Sequence, residues 1–235
     1  MHLKYDITGI IESYPGVHIG VLYGEGLDNM TPFPDLYRLQ KEAITEAQAQ
    51  IGDQPATRHP HIASWREIYR SFGTKPSDYR PSAEALVRRT IKTGKLPVIN
   101  TAVDLYNVVS VKHIIPMGGF DADKVEGDIY LRVSDGGETF IPLGASKQEE
   151  TYSGEVVYAD DSRILTRRWN FRDADETKIT SETRNLVMFI DASPEIKLEN
   201  VESALDELLH LLEDACGGKY AKAITSSHEP IISLR

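Results

Sequence analysis

The sequence predicts an α+β fold in which helices and strands are largely segregated along the chain. Apolar residues recur at helical spacing between about residues 34 and 111 of the 235-residue chain. From about residue 129 the pattern changes to the two-residue alternation of strands, and an amphipathic segment over 200–215 predicts a closing helix. Because helices and strands do not alternate one for one, this order favours α+β over a parallel α/β sheet.

The first half is predicted to begin with two strands and to continue with helices. Residues 4–12 and 17–24 are rich in Ile, Val and Tyr, and Pro15-Gly16 between them predicts a turn. Helical spacing, with proline or glycine at several ends, then predicts helices over about 34–51, 61–72, 82–94 and 98–111. We expect one compact domain over 1–235, with 25–94 as a helical subregion.

Strands are predicted through most of the second half. Residues 129–133 alternate between apolar and polar side chains, as a half-buried strand does. The continuously apolar run Leu186–Ile190 predicts a central strand buried on both faces. Further strands are expected over 138–142, 154–159 and 162–169, with one edge strand within 224–234.

Composition narrows the functional class. A net charge of −10 disfavours a dedicated nucleic-acid binder, so any RNA contact must come from a local basic patch. No apolar run is long enough to span a membrane, and the N-terminus lacks signal-peptide features. The single Cys216 has no internal disulfide partner, so a cytoplasmic location is expected. The seven His and one Cys lack zinc-site spacing, and we expect neither a metal nor another cofactor.

Two basic patches interrupt the acidic sequence. The first, which favours the solvated face of a helix, comprises Arg88, Arg89, Lys92 and Lys95. The second is interleaved with Trp169 and Phe171 and comprises Arg163, Arg167, Arg168 and Arg172. For this second patch, RNA binding and a structural role both stay open. Any RNA affinity should depend strongly on salt concentration.

A polar stripe on an otherwise apolar helix is the next candidate feature. Asn100, Asp104 and Asn107 follow one another at spacings of four and three residues, which places them on one helix face. The stripe either meets a ligand or caps neighbouring loops. A predicted loop with Gly118-Gly119 follows, where positive φ would bring bare N–H groups close to a ligand, unless the pair simply forms a tight turn.

The segment 95–133 resembles a known family. Its pattern Val103-Asp104-x-x-Asn107-x-Val109, then Pro116-x-x-x-Phe120-Asp121-x-Asp123-Lys124-x-x-Gly127, is similar to the B3/B4 region of the phenylalanyl-tRNA synthetase beta chain. The likeness continues more loosely to about residue 191. It implies a three-layer β/β/α sandwich and an editing module that hydrolyses the ester between tRNA and a wrong amino acid. With no class II synthetase motif present, the chain resembles a free-standing B3/B4 domain and not a complete ligase.

The resemblance also implies a changed pocket. Asn107 stands at the position of a pocket-lining Asn, whereas Tyr106 replaces a common Thr and Gly118 replaces a His. The family's Gly-Gly-Glu segment, aligned near 167–173, is replaced by a sequence that contains Trp169. A large Tyr and a Trp would narrow the pocket, so an aminoacyl group smaller than or different in shape from tyrosine is expected.

These arguments assign roles to a set of residues. Hydrolysis of a reactive ester needs a positioned water, an oxyanion donor and a shaped pocket. The N–H groups of Gly118 and Gly119, with Asn107, are the predicted oxyanion or substrate contacts, and Asp104 or Asp173 would orient the water. The predicted pocket lining is Tyr106, Met117, Trp169 and Asn170. The acceptor end of tRNA is the expected partner of Arg163, Arg167, Arg168 and Arg172.

Two points stay open. Trp169 either stacks on the terminal base of the tRNA or packs in the core. The protein as a whole is expected to be a trans-editing aminoacyl-tRNA deacylase, a non-catalytic RNA-binding module, or a hydrolase or binder of small amino-acid derivatives. The acidic net charge mildly favours the last of these.

Overall fold

The computed structural model describes residues 3–234, in which twelve strands and six α-helices form three layers. The strands are β1 (Lys4–Asp6), β2 (His18–Glu25), β3 (Met117–Asp121), β4 (Ile129–Val133), β5 (Thr139–Phe140), β6 (Glu149–Glu150), β7 (Val156–Ala159), β8 (Ile164–Arg167), β9 (Arg172–Asp173), β10 (Asn185–Ala192), β11 (Lys219–Thr225) and β12 (Ile231–Ser233). The helices are α1 (Thr8–Ile11), α2 (Leu36–Ile51), α3 (Pro60–Ser71), α4 (Ser82–Thr93), α5 (Thr101–His113) and α6 (Leu198–Cys216).

Two sheets pack face to face. The outer sheet has the order β12-β1-β4-β7-β8-β9, and the central sheet has the order β11-β2-β10-β3. Between them lies an aromatic core in which the ring of Phe189 is 4.7 Å from Tyr5 and 4.9 Å from Tyr158, centroid to centroid. The remaining strands, β5 and β6, form a separate two-stranded ribbon.

Helices α5 and α6 cover the other face of the central sheet. The approach of α6 is close, because a Cβ added to Gly20 would lie 3.0 Å from Cγ1 of Val201. Helices α2, α3 and α4 pack around α5 through a second apolar cluster that includes Ala43, Ile62, Val87 and Val108. The α+β class and the β/β/α layer order are therefore as predicted.

The N-terminal strands differ from the prediction. Residues 8–11 form a short helix, and β1 and β2 belong to different sheets instead of pairing across Pro15-Gly16. The local reason is a turn in which the Thr8 N–H donates to Asp6 Oδ1 at 2.7 Å and ends the strand. The tail also differs, since it supplies two edge strands, β11 in the central sheet and β12 in the outer sheet.

The predicted glycine loop is wrong. Gly118 and Gly119 lie within β3, whose Phe120 is buried, and neither glycine has a positive φ. Pairing of β3 with β10 supplies the extended structure that the two glycines do not favour by themselves. Strand β10 is an interior strand with Leu186–Ile190 fully buried, as predicted.

Candidate functional site

A small cleft of about 60 Å³ lies between the two sheets, where β3 forms the edge of the central sheet. Its lining combines aromatic rings with a few polar groups. The lining residues are Ser82, Met117, Gly118, Gly119, Phe120, Tyr158, Thr166, Trp169, Asn170, Phe171, Arg172, Asp173, Phe189 and Asp191. The side that faces the outer sheet carries Gly118, Phe120 and Phe189, because alternate residues of a strand share one face.

Two aspartates supply the negative charge of the cleft. Burial raises the pKa of Asp173 to about 6, although its Oδ1 accepts a 2.7 Å hydrogen bond from the Thr166 hydroxyl, which lowers it. Burial also raises the pKa of Asp191 to about 7, and the charge of Asp173 adds to that increase. Both carboxyl groups therefore change protonation close to neutral pH.

The two aspartates differ in the hydrogen bonds that their carboxylate oxygens accept. Asp191 accepts hydrogen bonds on both, from the Tyr158 hydroxyl at 2.6 Å and from Asn170 Nδ2 at 3.2 Å. By contrast, both oxygens of Asp173 lie 3.9–4.0 Å from the position of a Cβ on Gly118, and Oδ2 accepts no hydrogen bond from residues 3–234. Asp173 is thus the carboxylate with an oxygen directed at the cleft.

A buried hydrogen-bond network holds Asp191 in place. The Tyr5 hydroxyl donates to the Tyr158 hydroxyl at 3.2 Å, and Tyr158 in turn donates to Asp191. From the other side, the Tyr69 hydroxyl donates to Asn170 Oδ1 at 2.8 Å. Burial raises the pKa of each of these three tyrosines well above its usual value, so they act as neutral donors.

The backbone that leads into the cleft is strained. Arg168 and Trp169 have φ values of +50° and +64°, a region that residues with a side chain rarely adopt. The strain is fixed by packing, because the Trp169 ring is fully buried edge-on against Trp65 and Tyr14 at 5.1 Å each. Its indole N–H lies near Asp191 without a hydrogen bond of normal geometry. This conformation directs the next residue, Asn170, into the network.

The edge of β3 offers one of the two predicted backbone donors. Asp191 N–H donates to the Pro116 carbonyl, and the alternation of an antiparallel ladder then pairs Gly118 with Phe189 by hydrogen bonds. Gly118 N–H is therefore used inside the sheet, and its predicted role as a donor to substrate is wrong. Gly119 N–H points away from β10 and has no partner among residues 3–234.

The structure brings most of the predicted pocket residues together. The cleft lining contains Met117, Gly118, Gly119, Trp169, Asn170 and Asp173. Tyr106 lies beside it, since burial and then the charge of Asp173 raise the pKa of its phenol. Asn107 is half-buried, is absent from the lining and forms no hydrogen bond with the residues that the structure describes.

Asp104 does not line the cleft, although its charge, like that of Asp173, raises the pKa of Tyr106. Its Oδ1 accepts a 2.8 Å hydrogen bond from the Ile99 N–H, and it lines a separate depression near Asn29 and Asn100. Burial raises its pKa to about 6, as for Asp173. The Asn100 side chain caps α5 by accepting from the Val103 N–H at 3.1 Å, so this helix begins three residues later than predicted. Asp104 and Asn100 thus accept hydrogen bonds from backbone N–H groups at the start of α5, which is the capping alternative for the polar stripe.

The arginine patch is also corrected. Arg167 is buried and pairs with Glu155 at 2.7 Å and with Glu149 at 2.8 Å. Arg163 pairs with three acidic residues, which are Asp160, Glu126 and Glu176. The chain itself neutralises these cations, so they are not available to RNA phosphates.

The other members of that patch differ in exposure. The guanidinium of Arg168 is buried and lies 3.8 Å from the centroid of the Tyr79 ring, which covers it. Trp169 is enclosed and has no free face for a base, so base stacking is wrong and core packing is right. Arg172 is exposed at the cleft and is the member of the patch that remains a candidate for RNA contact.

Sequence reasoning missed several residues of the cleft, chiefly Asp191, Tyr158, Thr166 and Ser82. One signal was present for Asp191, because an aspartate at the end of the apolar run of β10 is costly to bury without a function or partners. The helices within residues 3–234 include none that is long and apolar enough to cross a membrane. In the same range, no three His, Cys, Asp or Glu side chains converge as metal ligands.

Comparisons with known proteins identify a family for this chain. The family model described as the B3/4 domain matches residues 64–217. The phenylalanine–tRNA ligase beta subunit of Fusobacterium nucleatum is 31% identical over 100 residues, which cover 43% of this chain and 12% of that protein. The corresponding subunit of Shewanella oneidensis is 24% identical over 217 residues, which cover 81% of this chain and 27% of that protein.

A solved structure is also similar. It is an N-terminal fragment of the phenylalanyl-tRNA synthetase beta-subunit from Pyrococcus horikoshii, with a TM-score of 0.47 and 16% identity, covering 94% of this chain and 53% of that chain. The chain matches little more than a quarter, or less, of the two ligase subunits compared above. Since the family model covers more than half of the chain and includes the cleft residues from Ser82 to Asp191, the protein belongs to the B3/4 domain family.

Proposed function

We propose that the protein is a trans-editing hydrolase, which cleaves the ester bond of a wrongly charged aminoacyl-tRNA at the cleft between the two sheets. The observation that carries this proposal is Asp173, whose free oxygen faces the cleft and whose pKa is raised to about 6. Membership of the B3/4 domain family, with tRNA ligase subunits as relatives, supports tRNA as the carrier of the ester.

Asp173 has the properties of a general base for this reaction. Its carboxylate would take a proton from a water molecule as the water oxygen attacks the ester carbonyl. The bond between the carbonyl carbon and the ribose oxygen then breaks, and a proton passes to that oxygen. A base with a pKa of about 6 is ionised at neutral pH and still close to the operating pH, where proton transfer is efficient.

The developing oxyanion needs a donor, and Gly119 N–H is the candidate. It lies on the outer side of β3 within the cleft lining and has no partner among residues 3–234. A fixed backbone donor of this kind typically contributes about 10²–10³ in rate. Gly119 N–H takes over the role first expected for the pair of glycines.

The lining of the cleft suits the ammonium group of an aminoacyl ester. Asp173 and Asp191 supply negative charge, and the lining also contains the rings of Tyr158 and Phe171, whose faces attract cations. The volume of about 60 Å³ is far below the roughly 300–1,000 Å³ of an ordinary ligand pocket. We therefore infer that the cleft holds the ammonium group and a small side chain of the aminoacyl ester, while the ribose of the tRNA stays outside.

Purified protein incubated with a panel of mischarged tRNAs tests the proposal. We expect at least one tRNA that carries a small amino acid to lose its ester faster than the spontaneous rate, and tRNA carrying tyrosine to be spared. Binding of tRNA with no acceleration for any member of the panel would instead indicate the non-catalytic RNA-binding module.

A second function has specific support, namely hydrolysis or binding of small amino-acid derivatives without RNA. The small acidic cleft and the net charge of −10 favour it. Rates on aminoacyl ethyl esters compared with the same aminoacyl group on tRNA separate the two. Equal kcat/KM on both, with no gel shift of bulk tRNA at low salt, would favour the small-molecule function.

A further inference from the structure

A second and larger concavity, here called the α4 groove, lies between the end of α2 and the outer face of α4. Its volume is about 630 Å³, which falls within the usual range for ligand sites. The apolar part of its lining, here called the apolar floor, includes Ile51, Pro55 and Ile91. It lies in the helical part of the molecule and shares no lining residue with the cleft.

Basic side chains also line the groove. They are Arg80, Arg88, Arg89 and Lys92, against one acidic lining residue, Asp53. The buried Glu84 neutralises part of this charge, because it lies 3.3 Å from Arg88 and 3.9 Å from Arg80, but its shortest contact is 2.8 Å to Arg66.

Two cations of the groove remain uncompensated. Arg89 and Lys92 are exposed and form no ion pair with any residue between 3 and 234. A net positive groove on a chain of net charge −10 is a local reversal of sign, and it would attract a polyanion selectively to this face.

We infer that the α4 groove binds a single-stranded segment of RNA. Phosphates would contact Arg89 and Lys92, and unstacked bases would lie on the apolar floor, against guanidinium planes that stack well on bases. An apolar floor with a cationic rim matches an RNA strand, which presents apolar base faces and phosphates together. An acidic peptide offers the charge without the planar faces.

The groove continues towards the cleft along one helix. Ser82, the first residue of α4, lines the cleft, and Arg88, Arg89 and Lys92 follow on the same helix. At 1.5 Å per residue, the distance along the helix from Ser82 to Lys92 is about 15 Å. An RNA strand bound in the groove would therefore have its end within reach of the cleft. This last step rests on the proposed deacylase function, whereas RNA binding by the groove does not.

Fluorescence anisotropy with a labelled, uncharged, single-stranded RNA of eight nucleotides tests the inference. The variant Arg89→Ala with Lys92→Ala removes two exposed cations of the groove. Arg38→Ala with Lys41→Ala is the matched control, because it removes the same charge from exposed positions on α2 that do not line the groove. Thermal unfolding verifies that both variants are folded.

We expect the dissociation constant of the groove variant to rise roughly tenfold at moderate salt, and that of the control to stay within about twofold. The logarithm of the association constant decreases with the logarithm of the salt concentration, and this negative slope should become shallower by about 0.7 for each phosphate that the variant no longer neutralises. The inference is overturned if the wild-type protein does not bind, if both variants weaken equally, or if polyglutamate of equal charge displaces the RNA as well as unlabelled RNA does.

Failure of the proposed function has a different signature. RNA binding that depends on Arg89 and Lys92, without hydrolysis of any aminoacyl-tRNA, supports the groove and contradicts only the deacylase. Hydrolysis that persists while the groove variant binds RNA as the wild type does contradicts only the groove.

Discussion

The cleft and the α4 groove lie at successive parts of one helix, yet they carry opposite charges in opposite settings. The cleft encloses two carboxyl groups in about 60 Å³, and burial raises both pKa values towards neutrality. The groove has a volume of about 630 Å³, and three of its cations, Arg88, Arg89 and Lys92, are exposed. Enclosed charges of this kind suit proton transfer, whereas exposed charges suit the attraction of a polyanion.

The same contrast separates the two basic patches of the sequence. Arg163 and Arg167 are paired with acidic residues of the chain itself, whereas Arg89 and Lys92 are not paired within residues 3–234. Most of the patch with interleaved aromatic residues is structural, with Arg172 as its exposed member, and the patch without them forms the candidate RNA surface. Burial and counter-charges, more than the local density of arginine, decide what a basic patch can do.

The largest expected effect compares two aspartates with the same pKa of about 6. Asp173→Asn removes the proposed base while keeping its shape, and should slow hydrolysis of the cognate aminoacyl-tRNA by about 10²–10⁴-fold. Asp104→Asn retains an acceptor for the Ile99 N–H and should change the rate by less than about threefold. Single-turnover deacylation measures both. Equal losses in the two variants would place Asp173 among the structural residues.

The second prediction compares an enclosed with an exposed arginine. Arg167→Ala leaves Glu155 buried without its partner, and should lower the free energy of unfolding by about 3–5 kcal/mol. Arg172→Ala, at an exposed position, should change it by less than about 0.5 kcal/mol. Urea unfolding checks the pair, and a loss of under 1 kcal/mol for Arg167→Ala would show that the buried pair is not as enclosed as described.

The third prediction concerns pH and stability. Below about pH 4 Asp191 is neutral in both the folded and the unfolded chain. As the pH rises to about 7, the unfolded chain releases this proton while the folded protein keeps it, so the free energy of unfolding falls. A rise in the pKa of Asp191 from 3.8 to about 7 corresponds to roughly 4 kcal/mol of unfolding free energy.

Asp191→Asn isolates this contribution from that of other groups. Between pH 4 and 8 the wild type should lose roughly 4 kcal/mol of unfolding free energy that the variant keeps, so the stability of the variant relative to the wild type should rise by that amount. A pH-independent difference would mean that Asp191 ionises at its ordinary pKa in the folded protein.

The smallest effect concerns the wall of the cleft. A Cβ on Gly118 would lie 3.9 Å from the carboxylate of Asp173, so Gly118→Ala should fold normally but fill part of the cleft. We expect a loss of roughly tenfold in kcat/KM, the scale of one methyl group in a tight pocket. Gly119→Ala should instead destabilise the fold, because its Cβ would lie 2.6 Å from the Val187 carbonyl oxygen. Unchanged kinetics for Gly118→Ala would exclude this cleft as the substrate site.

Local patterns were sufficient to predict much of the fold. The helical spacing of α2 to α6 and the apolar run of β10 lie in contiguous sequence, and the structure agrees with both. Partners distant in the chain decided the rest. Gly118 and Gly119 became a strand because β10 pairs with them, and β1 pairs with β4 instead of β2.

The candidate site was predictable to a similar extent. The pattern of residues 103–127 led to β3, and the segment 167–173 led to Asp173, which lines the same cleft. Asp191 was missed because its proximity to Asp173 depends on the packing of two sheets. The burial of Arg167 was missed because Glu155, twelve residues earlier, meets it only across β7 and β8.

The pH dependence of single-turnover deacylation tests the central claim most directly. If Asp173 is the base in the cleft, the rate above the spontaneous background should rise about tenfold per pH unit below pH 6 and level off above it, since the base is then ionised. Asp173→Asn should abolish this inflection along with most of the rate. A wild-type rate that keeps rising in proportion to hydroxide through pH 8, with the same profile in Asp173→Asn, would contradict the account.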